Sequence, residues 1–520
     1  MIWYGTTRPG PERRPFQIRF HGEVKLVRRK RGGHGYAGDD QGHFLQRQSY
    51  EGAVLMKRLN RLLWVGLAAL PAPTVTLPAI AQPGPPIVQT RFTADPAPLV
   101  HDGVVYLYTS HDEDDATGFK MRDWLLYSST DMVNWTDRGT VASLKTFPWA
   151  VQTNDAWAPQ VVERGGKFYL YAPISVAGSP KNVIAVAVAD KPEGPFVDVL
   201  GKPLIAAQDG FIDPTVWIDD DGQAYLYWGN PDLWYVKLNK DMTSYSGPII
   251  KVDRILDYQE GPWFFKRDNR YYMAFASTCC SEGIGYAMSD KPTGPWTYKG
   301  PIMDHDARAT GNHPGIIDYK GGSYLFGFHY ELNFAVTPIH HERRSVNVAK
   351  FSYNADGTIP NLHWWDVTSA PQIEALNPYK RVEAETIAWT SRIKRNRDRS
   401  YNWAPGVTTA GDPSKGVYVT RTLDRTFIKV AGVDFGAPGA NRFFATVANG
   451  APGSAMELRL DRIDGPVIGT LQVGETGAVG QWQERATPVK GAIGTRDLYL
   501  IFRGTGDRPL LDFDHWRFAR

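Results

Sequence analysis

The chain has 520 residues, which is enough for two or three domains. Its formal charge of +3 is uneven, because residues 1–61 carry 13 Lys and Arg against 5 Asp and Glu and the remainder is net −5. That balance gives no support to a nucleic-acid partner or an anionic membrane surface. The two cysteines, Cys279 and Cys280, are adjacent, so they exclude a disulfide framework and are predicted to be packing residues.

The amino-terminal part of the chain contains the pattern of an export signal. Met56 starts a basic stretch, an apolar run follows over 62–70, and a small-residue cleavage pattern ends at Ala81. The run is too short to span a bilayer comfortably. These features predict a signal peptide over 56–81 and a periplasmic or extracellular protein.

Two segments flank the predicted signal. Residues 1–55 are rich in Arg, Gly and Gln and lack helical or strand periodicity. We interpret them as an over-extended translation start or a disordered tail. Residues 82–90 are a Pro-rich linker that leads into the first folded domain.

From residue 91 a polar turn followed by a Tyr- or Phe-rich strand recurs five times. The strands begin at aromatic residues spaced 62, 57, 46 and 53 residues apart, namely Tyr106, Phe168, Tyr225, Tyr271 and Tyr324. A second phrase, a turn that ends in an aromatic residue, follows several of the copies. Repeats of this length are typical of four-stranded propeller blades. The sequence therefore predicts an all-β protein with a five-bladed β-propeller over 91–372. The alternative is a β-sandwich with Tyr-rich hairpins.

Three short acidic motifs stand at intervals in this region. Asp95 lies in an Ala-Asp-Pro motif, Asp213 in Ile-Asp-Pro and Glu260 in Glu-Gly-Pro-Trp. Cleavage of a glycosidic bond requires one protonated and one ionised carboxyl group, and a third acid can hold those two states apart. These acids therefore favour glycoside hydrolysis, and the alternative is that they are turn-capping Asp residues and a surface Glu.

Region 91–372 resembles glycoside hydrolase family 43, on the three acidic motifs and their order along the chain. The resemblance implies a five-bladed propeller that hydrolyses with inversion. It implies Asp95 as the general base, Asp213 as the residue that modulates the pKa and orients, and Glu260 as the general acid. It also implies that no cofactor is required for the chemistry.

Further positions follow from the same resemblance. Trp157 and Trp263 are expected to line the sugar pocket, although a core position is an equal alternative for Trp157. Arg344 is expected to contact the substrate or the acids, and Arg343 is its alternative. His313 is expected on the propeller axis, near a calcium ion or a water molecule, and is a candidate metal ligand.

The pattern changes after a linker over 373–380. Residues 381–520 have the shorter strands and Gly/Asp turns of a β-sandwich with jelly-roll topology. This stretch resembles a family 6 carbohydrate-binding module. The resemblance implies a structural calcium ion held by three carboxylates, which are suitable ligands for calcium. These are Glu383, Glu385 and Asp514.

Sugar binding by the carboxy-terminal region is a separate expectation. Trp482 is expected to form one wall of a sugar cleft. The sequence departs from the module family at Val479, where a Trp is usual, and at Asp512, where an Asn is usual. A silent module that buttresses the propeller is therefore an equal alternative.

Taken together, these features predict an exported, monomeric inverting enzyme. By the resemblance, it releases α-L-arabinofuranosyl or β-D-xylosyl units from arabinoxylan. A β-xylosidase or an endo-arabinanase of the same fold is the alternative within enzymes. The alternative outside enzymes is a non-catalytic glycan-binding propeller. A retaining fructosidase is disfavoured, because its Asn-Asp-Pro-Asn and Arg-Asp-Pro signatures are absent from the sequence.

Overall fold

A computed structural model describes residues 86–520, apart from short gaps inside that range. The gaps are 180–181, 207–210, 280, 307–311, 366–369, 392, 396–400, 404–405 and 413–414. The predicted signal over 56–81 and the segment 1–55 lie outside the described residues. No described helix is long and apolar enough to cross a membrane. The described chain is all-β, as predicted, with one short α-helix.

Nineteen strands form five consecutive antiparallel sheets, here numbered 1 to 5. Sheet 1 contains β1 (Phe92–His101), β2 (Val104–Asp112), β3 (Asp123–Ser129) and β4 (Trp135–Ser143). Sheet 2 contains β5 (Gln160–Arg164), β6 (Lys167–Ser175), β7 (Asn182–Ala189) and β8 (Val197–Asp198). Sheet 3 contains β9 (Thr215–Ile218), β10 (Ala224–Trp228), β11 (Trp234–Leu238) and β12 (Tyr245–Lys251). Sheet 4 contains β13 (Tyr258–Arg267), β14 (Arg270–Ser277), β15 (Ile284–Ser289) and β16 (Thr297–Met303). Sheet 5 contains β17 (Gly315–Tyr319), β18 (Gly322–His329) and β19 (Ser345–Phe351).

Two short helical segments interrupt these strands. A 3-10 turn over Leu144–Thr146 follows β4, and helix α1 (Glu331–Val336) connects β18 to β19. The connection between β18 and β19 is therefore long for two neighbouring antiparallel strands, and it contains α1.

Each predicted repeat corresponds to one sheet, because its aromatic strand is the second strand of that sheet. The tyrosines of these strands also tie neighbouring sheets together. Tyr108 donates its hydroxyl to the Pro192 carbonyl at 2.7 Å, and Tyr171 donates to the Met242 carbonyl at 2.6 Å. Both rings are fully buried, so each combines apolar burial with a satisfied polar tip. The aromatic repeat thus reflects a repeated contact between sheets.

The first strands of the five sheets lie side by side. β5 is next to β1, β9 next to β5, β13 next to β9, β17 next to β13, and β17 is also next to β1. Because the first strands of successive sheets are neighbours, residues at the starts of these strands are brought to one place. All three predicted acids stand at such positions.

Fourteen short strands make up the carboxy-terminal region. They are β20 (Val382–Glu383), β21 (Thr386–Ile387), β22 (Trp389–Thr390), β23 (Ile393–Arg395), β24 (Tyr401–Trp403), β25 (Thr408–Asp412), β26 (Gly416–Thr420), β27 (Phe427–Asp434), β28 (Ala440–Ala448), β29 (Ala455–Leu460), β30 (Val467–Gln472), β31 (Gln483–Ala492), β32 (Thr495–Arg503) and β33 (Asp512–Ala519). One sheet has the order β25-β26-β33-β28-β31, with β20 beside β33, and a second has β22-β27-β32-β29-β30. Buried side chains from both sheets form one apolar cluster, which is how this region is held together.

The carboxy-terminal region is joined to sheet 1 by backbone pairing. β21 extends sheet 1 as a fifth strand beside β4, and the Thr136 and Thr386 hydroxyls meet at 2.8 Å. The buried Asn134 amide donates to the Ala431 carbonyl at 2.9 Å and accepts from the Ala431 amide at 2.8 Å. Such buried, satisfied polar contacts specify one docking geometry.

The segment predicted as a linker, 373–380, also takes part in this junction. The Ile373 amide donates to the Asp131 carbonyl on sheet 1, and Leu376 exchanges backbone hydrogen bonds with Gly432 and Asp434. The segment is thus held at both ends by hydrogen bonds.

Candidate active site

The backbone is locally irregular at each of the three predicted acids. Asp95 and Asp213 adopt left-handed conformations, with φ of 51° and 59°, which non-glycine residues seldom do. The pairing of β1 with β2 shifts register between Ala94 and Ala97, and that of β13 with β14 shifts on both sides of Glu260. Bulges of this kind re-aim side chains at functional sites. The irregularities bring Asp95, Asp213 and Glu260 toward one side chain, His313.

The His313 imidazole lies between the three carboxyl groups. Its Nδ1 is 3.3 Å from Asp95 Oδ1, and its Nε2 is 3.7 Å from both Asp213 Oδ2 and Glu260 Oε1. Asp95 therefore lies at one ring nitrogen, and Glu260 and Asp213 lie at the other. Burial alone would lower the pKa of His313, but the charges of Asp213 and Asp95 and a hydrogen bond to Glu260 raise it to about 10. At neutral pH the ring is a buried cation that offsets part of the negative charge.

Asp213 differs from an ordinary carboxylate. Burial raises its pKa to about 7, His313 opposes this shift, and the charges of Glu260 and Asp95 add to it. The Gly261 amide donates to Asp213 Oδ2 at 3.1 Å. The Asp213 carboxyl group therefore titrates close to neutral pH. It lies beside Glu260, because both contact His313 Nε2.

Gly261 leaves no space for a side chain. Its φ is +56°, and a Cβ atom there would lie 2.5 Å from His313 Cδ2. We expect Gly261→Ala to displace the imidazole and to lower kcat about 10²-fold, because small misplacements of catalytic groups have effects of that size. The matched control is Gly165→Ala, at φ +61° with nothing within 4 Å of its Cβ position. Equal kcat values for the two variants would contradict this expectation.

Arg344 is bound to the Asp95 side of the site. Its Nη1 donates to Asp95 Oδ1 at 2.9 Å, while Nε and Nη2 form a bidentate pair with Asp112, each at 2.9 Å. The Arg344 amide also donates to Asp112 Oδ2 at 2.8 Å. Both side chains are buried, at 3% and 0% exposure. Arg344 therefore contacts an acid, and Asp112 fixes the direction of its guanidinium.

This arrangement predicts that Asp112 acts through Arg344. We expect Asp112→Asn to lower kcat about 10²-fold, because the guanidinium loses its bidentate partner and shifts against Asp95. In an Arg344→Gln background the same change should have little further effect, since residues that act as a unit are non-additive. Steady-state kinetics of the two single variants and the double variant measure this. Multiplicative losses would show that the two residues act independently.

Glu282 is a further buried acid at the site. Its Oε2 accepts from the Asn312 amide at 3.1 Å, next to His313 in the chain. Burial and the charge of Glu260 raise the pKa of Glu282 to about 8. A protonated Glu282 therefore adds no charge near Glu260 at neutral pH.

Comparison with known protein families identifies the family to which the chain belongs. The family model for glycosyl hydrolases family 43 matches residues 84–359. The chain belongs to glycosyl hydrolases family 43. It is a glycoside hydrolase, and a second model, carbohydrate binding module family 6, matches residues 399–520.

Relatives of known activity match most of the chain. An arabinoxylan arabinofuranohydrolase of Bacillus subtilis (strain 168) is 31% identical, over 90% of this chain and 100% of its own length. One of Paenibacillus polymyxa is 34% identical, over 84% of this chain and 74% of its own. A crystal structure of a family 43 arabinoxylan arabinofuranohydrolase from Bacillus subtilis, in complex with cellotetraose, superposes with a TM-score of 0.71 at 32% identity, covering 84% of this chain and 97% of that one.

The two tryptophans predicted to line the pocket occupy different settings in this family 43 enzyme. Trp263 is 8% exposed and donates its indole N–H to the Ile316 carbonyl at 2.9 Å. It lines the floor of an open cavity of about 270 Å³ together with Asp95, Asp213 and His313. Trp157 is partly buried against the core of sheets 1 and 2, and its carbonyl accepts from Trp124. Both tryptophans are therefore packed into the protein, and neither is an open platform for a sugar ring.

The predicted metal ligand His313 lies in a cluster of candidate ligands. Ligand atoms of Asp213, Glu260 and His313 lie within 4.8 Å of one another. A metal ion at His313 stays a prediction, and we derive no step through one.

The predicted calcium ligands come together only in part. Glu383 and Asp514 are neighbours, with His515, but the Arg381 guanidinium lies 2.8 Å from Glu383 and 3.4 Å from Asp514. Glu385 is outside this cluster, in a cavity lined by sheet 1 residues. A resident guanidinium and a distant third acid do not fit the three-carboxylate calcium site.

Glu385 is instead a neutral acid at the junction with sheet 1. Burial raises its pKa to about 9, well above the value of a free Glu. Unfolding above about pH 4.5 therefore releases a proton, so this group lowers stability progressively as pH rises toward 9. We expect Glu385→Gln to raise Tm relative to the parent chain at pH 8.5 and to change it little at pH 4.5. Thermal unfolding at both pH values, with Glu383→Gln as the control, tests this; a pH-independent difference would contradict it.

The predicted sugar cleft of the carboxy-terminal module contains an aromatic pair. Trp482 and Tyr418 make an edge-to-face contact with ring centroids 5.3 Å apart. Asp512, which replaces the usual Asn, is used internally, because it accepts from Thr420 at 2.6 Å and from Asn449 at 2.5 Å. The module thus keeps an aromatic pair and lacks a free amide at that position.

Sequence reasoning left out several residues that the structure places at the site. Asp112 lies in the run His-Asp-Glu-Asp-Asp, where composition marks all four acids as surface groups. Asn230 donates its amide to Glu260 Oε2 and has no motif of its own. Alternation along β2 was the available signal for Asp112, because its side chain falls on a buried position. Away from these residues, Cys279 is disulfide-bonded, which corrects the prediction of a packing residue.

Proposed function

We propose that this protein is an inverting arabinoxylan arabinofuranohydrolase that removes α-L-arabinofuranosyl units from the xylan main chain. The observation that carries the proposal is the placement of Asp95 at one ring nitrogen of His313 and of Glu260 at the other. Inverting enzymes hold their two carboxyl groups roughly 6.5–9.5 Å apart, with space for a water molecule. The relatives that match nearly the whole chain act on arabinoxylan by name, which supports this substrate.

In the proposed mechanism, each of two acids carries out one proton transfer. Glu260 protonates the oxygen of the leaving xylosyl group, while Asp95 takes a proton from the attacking water on the opposite face of the sugar. Arg344 donates to Asp95 Oδ1 and so fixes the direction of the carboxyl group that serves as the base. Asp213 modulates the pKa and orients, as the resemblance to the family implies, and the His313 ring lies between the carboxyl groups.

The finer architecture belongs to the same proposal. We propose that sheets 1 to 5 are the blades of a five-bladed propeller over 91–372 and that 381–520 is a β-sandwich module. The neighbour relations of the five first strands support the propeller, and the common apolar core of two sheets supports the sandwich. An exported, monomeric enzyme with a signal over 56–81 completes the proposal. Family 43 enzymes act without a cofactor.

A β-xylosidase or an arabinanase is the second candidate. Relatives named xylosidase/arabinosidase, such as that of Bacteroides ovatus at 31% identity, match 54% of this chain. They cover about half of this chain, whereas the arabinoxylan enzymes cover 90% and 84% of it. This difference favours arabinoxylan as the substrate.

The test compares three substrates with protein that begins at Gln82. These are p-nitrophenyl α-L-arabinofuranoside, p-nitrophenyl β-D-xyloside and arabinoxylan. We expect arabinose release from the first and the last, and its loss in Glu260→Ala. Release of xylose alone would favour the second candidate function, that of a β-xylosidase. Binding of arabinoxylan without any cleavage would favour a non-catalytic glycan-binding protein.

A further inference from the structure

A tight turn over 229–233, which connects β10 to β11, is fixed to the segments that carry two of the acids. Its first residue must be glycine, because Gly229 has a φ of +134° and a Cβ atom there would lie 2.0 Å from a backbone oxygen. The Gly229 amide donates to the Ile212 carbonyl at 3.0 Å, and its carbonyl accepts from the Tyr258 hydroxyl at 2.7 Å. Ile212 and Tyr258 each stand within two residues of an acid, so the turn is held between those two acids.

The next residue of the turn, Asn230, contacts the proposed general acid through its side chain. Asn230 is partly buried, its amide nitrogen donates to Glu260 Oε2, and its amide oxygen accepts from Gln259 Nε2 at 3.0 Å. The two ends of an Asn side chain are distinguished by their hydrogen-bond partners. Because a donor occupies the oxygen end, the nitrogen end faces Glu260. Asn230 therefore presents an N–H group to the acid.

The two oxygen atoms of Glu260 lie in different settings. Oε2 accepts from Asn230, whereas Oε1 is 3.7 Å from His313 Nε2. His313 lines the cavity of about 270 Å³ that Asp95 and Asp213 also line. A neutral carboxyl group carries its proton on one oxygen and accepts hydrogen bonds through the other. Since Oε2 is used as an acceptor, the proton of the acid belongs on Oε1, on the side of the cavity.

We infer that Asn230 is a positioning residue for the general acid, which holds Oε2 as an acceptor so that Glu260 delivers its proton from Oε1. The inference rests on the proposed function, in which Glu260 is the acid. In that step the bond from the arabinofuranosyl carbon to the leaving oxygen breaks, this oxygen takes the proton from Oε1, and Glu260 is left as a carboxylate. The attacking water forms the new bond to that carbon and gives its proton to Asp95.

The experiment compares a leaving group that needs a proton with one that does not. Asn230→Ala is measured on arabinoxylan, whose leaving sugar oxygen must be protonated, and on p-nitrophenyl α-L-arabinofuranoside, whose phenolate leaves as a stable anion. We expect kcat/KM to fall about 30-fold on arabinoxylan and to stay within about threefold on the aryl glycoside. The reason is that general acid catalysis contributes 10²- to 10⁴-fold and depends on correct placement of the acid.

Two further variants show whether Asn230 acts through Glu260. In a Glu260→Gln background, Asn230→Ala should change kcat/KM on arabinoxylan by less than about twofold, because residues that act as a unit are non-additive. Gln259→Leu removes the contact that orients the Asn230 amide. It should show the same selectivity for arabinoxylan with a smaller loss, about fivefold, and it guards against misfolding of the Asn230 variant.

The matched control lies in the same turn. Asp232 is half-exposed and pairs with Lys251 at 2.8 Å, away from Glu260, so Asp232→Ala should leave kcat/KM unchanged on both substrates.

Three results would overturn the inference. These are an unchanged kcat/KM in Asn230→Ala, an equal loss on both substrates, which indicates a structural or sugar-binding role, and multiplicative losses in the Glu260→Gln background. Equal losses on both substrates in Glu260→Gln itself, or absence of arabinose release by the parent enzyme, would instead remove the proposed function. The two failures are therefore distinguishable.

Discussion

Glu260→Gln should lower kcat/KM on arabinoxylan by about 10³-fold while leaving the fold intact, because general acid catalysis contributes rate factors of that size. The oxygen that leaves from arabinoxylan belongs to a sugar hydroxyl and is a poor leaving group without a proton. Gln has the shape of the protonated acid and its amide has no proton to transfer. In the structure, Glu260 holds contacts with His313 and Asn230, which Gln can retain in part.

The leaving group supplies the control for this variant. p-Nitrophenolate is a stable anion that leaves without full protonation, so Glu260→Gln should lose much less rate on p-nitrophenyl α-L-arabinofuranoside than on arabinoxylan. Steady-state kinetics on both substrates gives the comparison. Equal losses on both would indicate that Glu260 serves another role, such as binding the sugar.

Asp95→Asn should lower kcat on both substrates by about 10³-fold, because the attacking water loses its base whichever group leaves. Asp95 is 4% exposed and its carboxylate already contacts Arg344 and His313. An amide at this position accepts no proton and turns an N–H toward the guanidinium or the imidazolium. The pattern across substrates therefore separates the base from the acid.

The matched control for Asp95 is a buried aspartate far from the chemistry. Asp131 is 3% exposed and accepts from the Val133 and Asn134 amides in a turn of sheet 1. Asp131→Asn should lower Tm and leave kcat largely unchanged. If Asp95→Asn lost activity on arabinoxylan alone, or if both variants lost it equally, the assignment of Asp95 as the base would be wrong.

Much of the site could be predicted from the sequence, because each acid stands in a short motif at a similar place in a repeated structural unit. Asp95, Asp213 and Glu260 each precede or begin the first strand of a sheet. The aromatic repeats such as Tyr106 and Tyr225 mark second strands. A repeated unit therefore fixed the relative places of residues more than 100 positions apart.

The remaining features depend on contacts that no local pattern carries. Asp112 and Arg344 are 232 positions apart and pair only when sheets 1 and 5 meet. Glu385 matched the ligand pattern of a module family, yet docking of the module on sheet 1 buried it in a cavity beside Asp137. Trp263 has the residue type of a sugar platform, yet it is 8% exposed and lies directly after the register shift that follows Glu260.

The stereochemistry of the released sugar is the most direct test of the account, since it depends on whether Asp95 activates a water molecule or attacks the sugar itself. Proton NMR recorded in the first minutes of arabinoxylan hydrolysis shows the anomer that forms before equilibration. An inverting enzyme turns the α-configured bond into β-configured arabinofuranose, and the account predicts that this anomer appears first. Initial formation of the α-anomer would mean that a carboxylate attacks the sugar directly, which contradicts the assignment of Asp95 as a base for water.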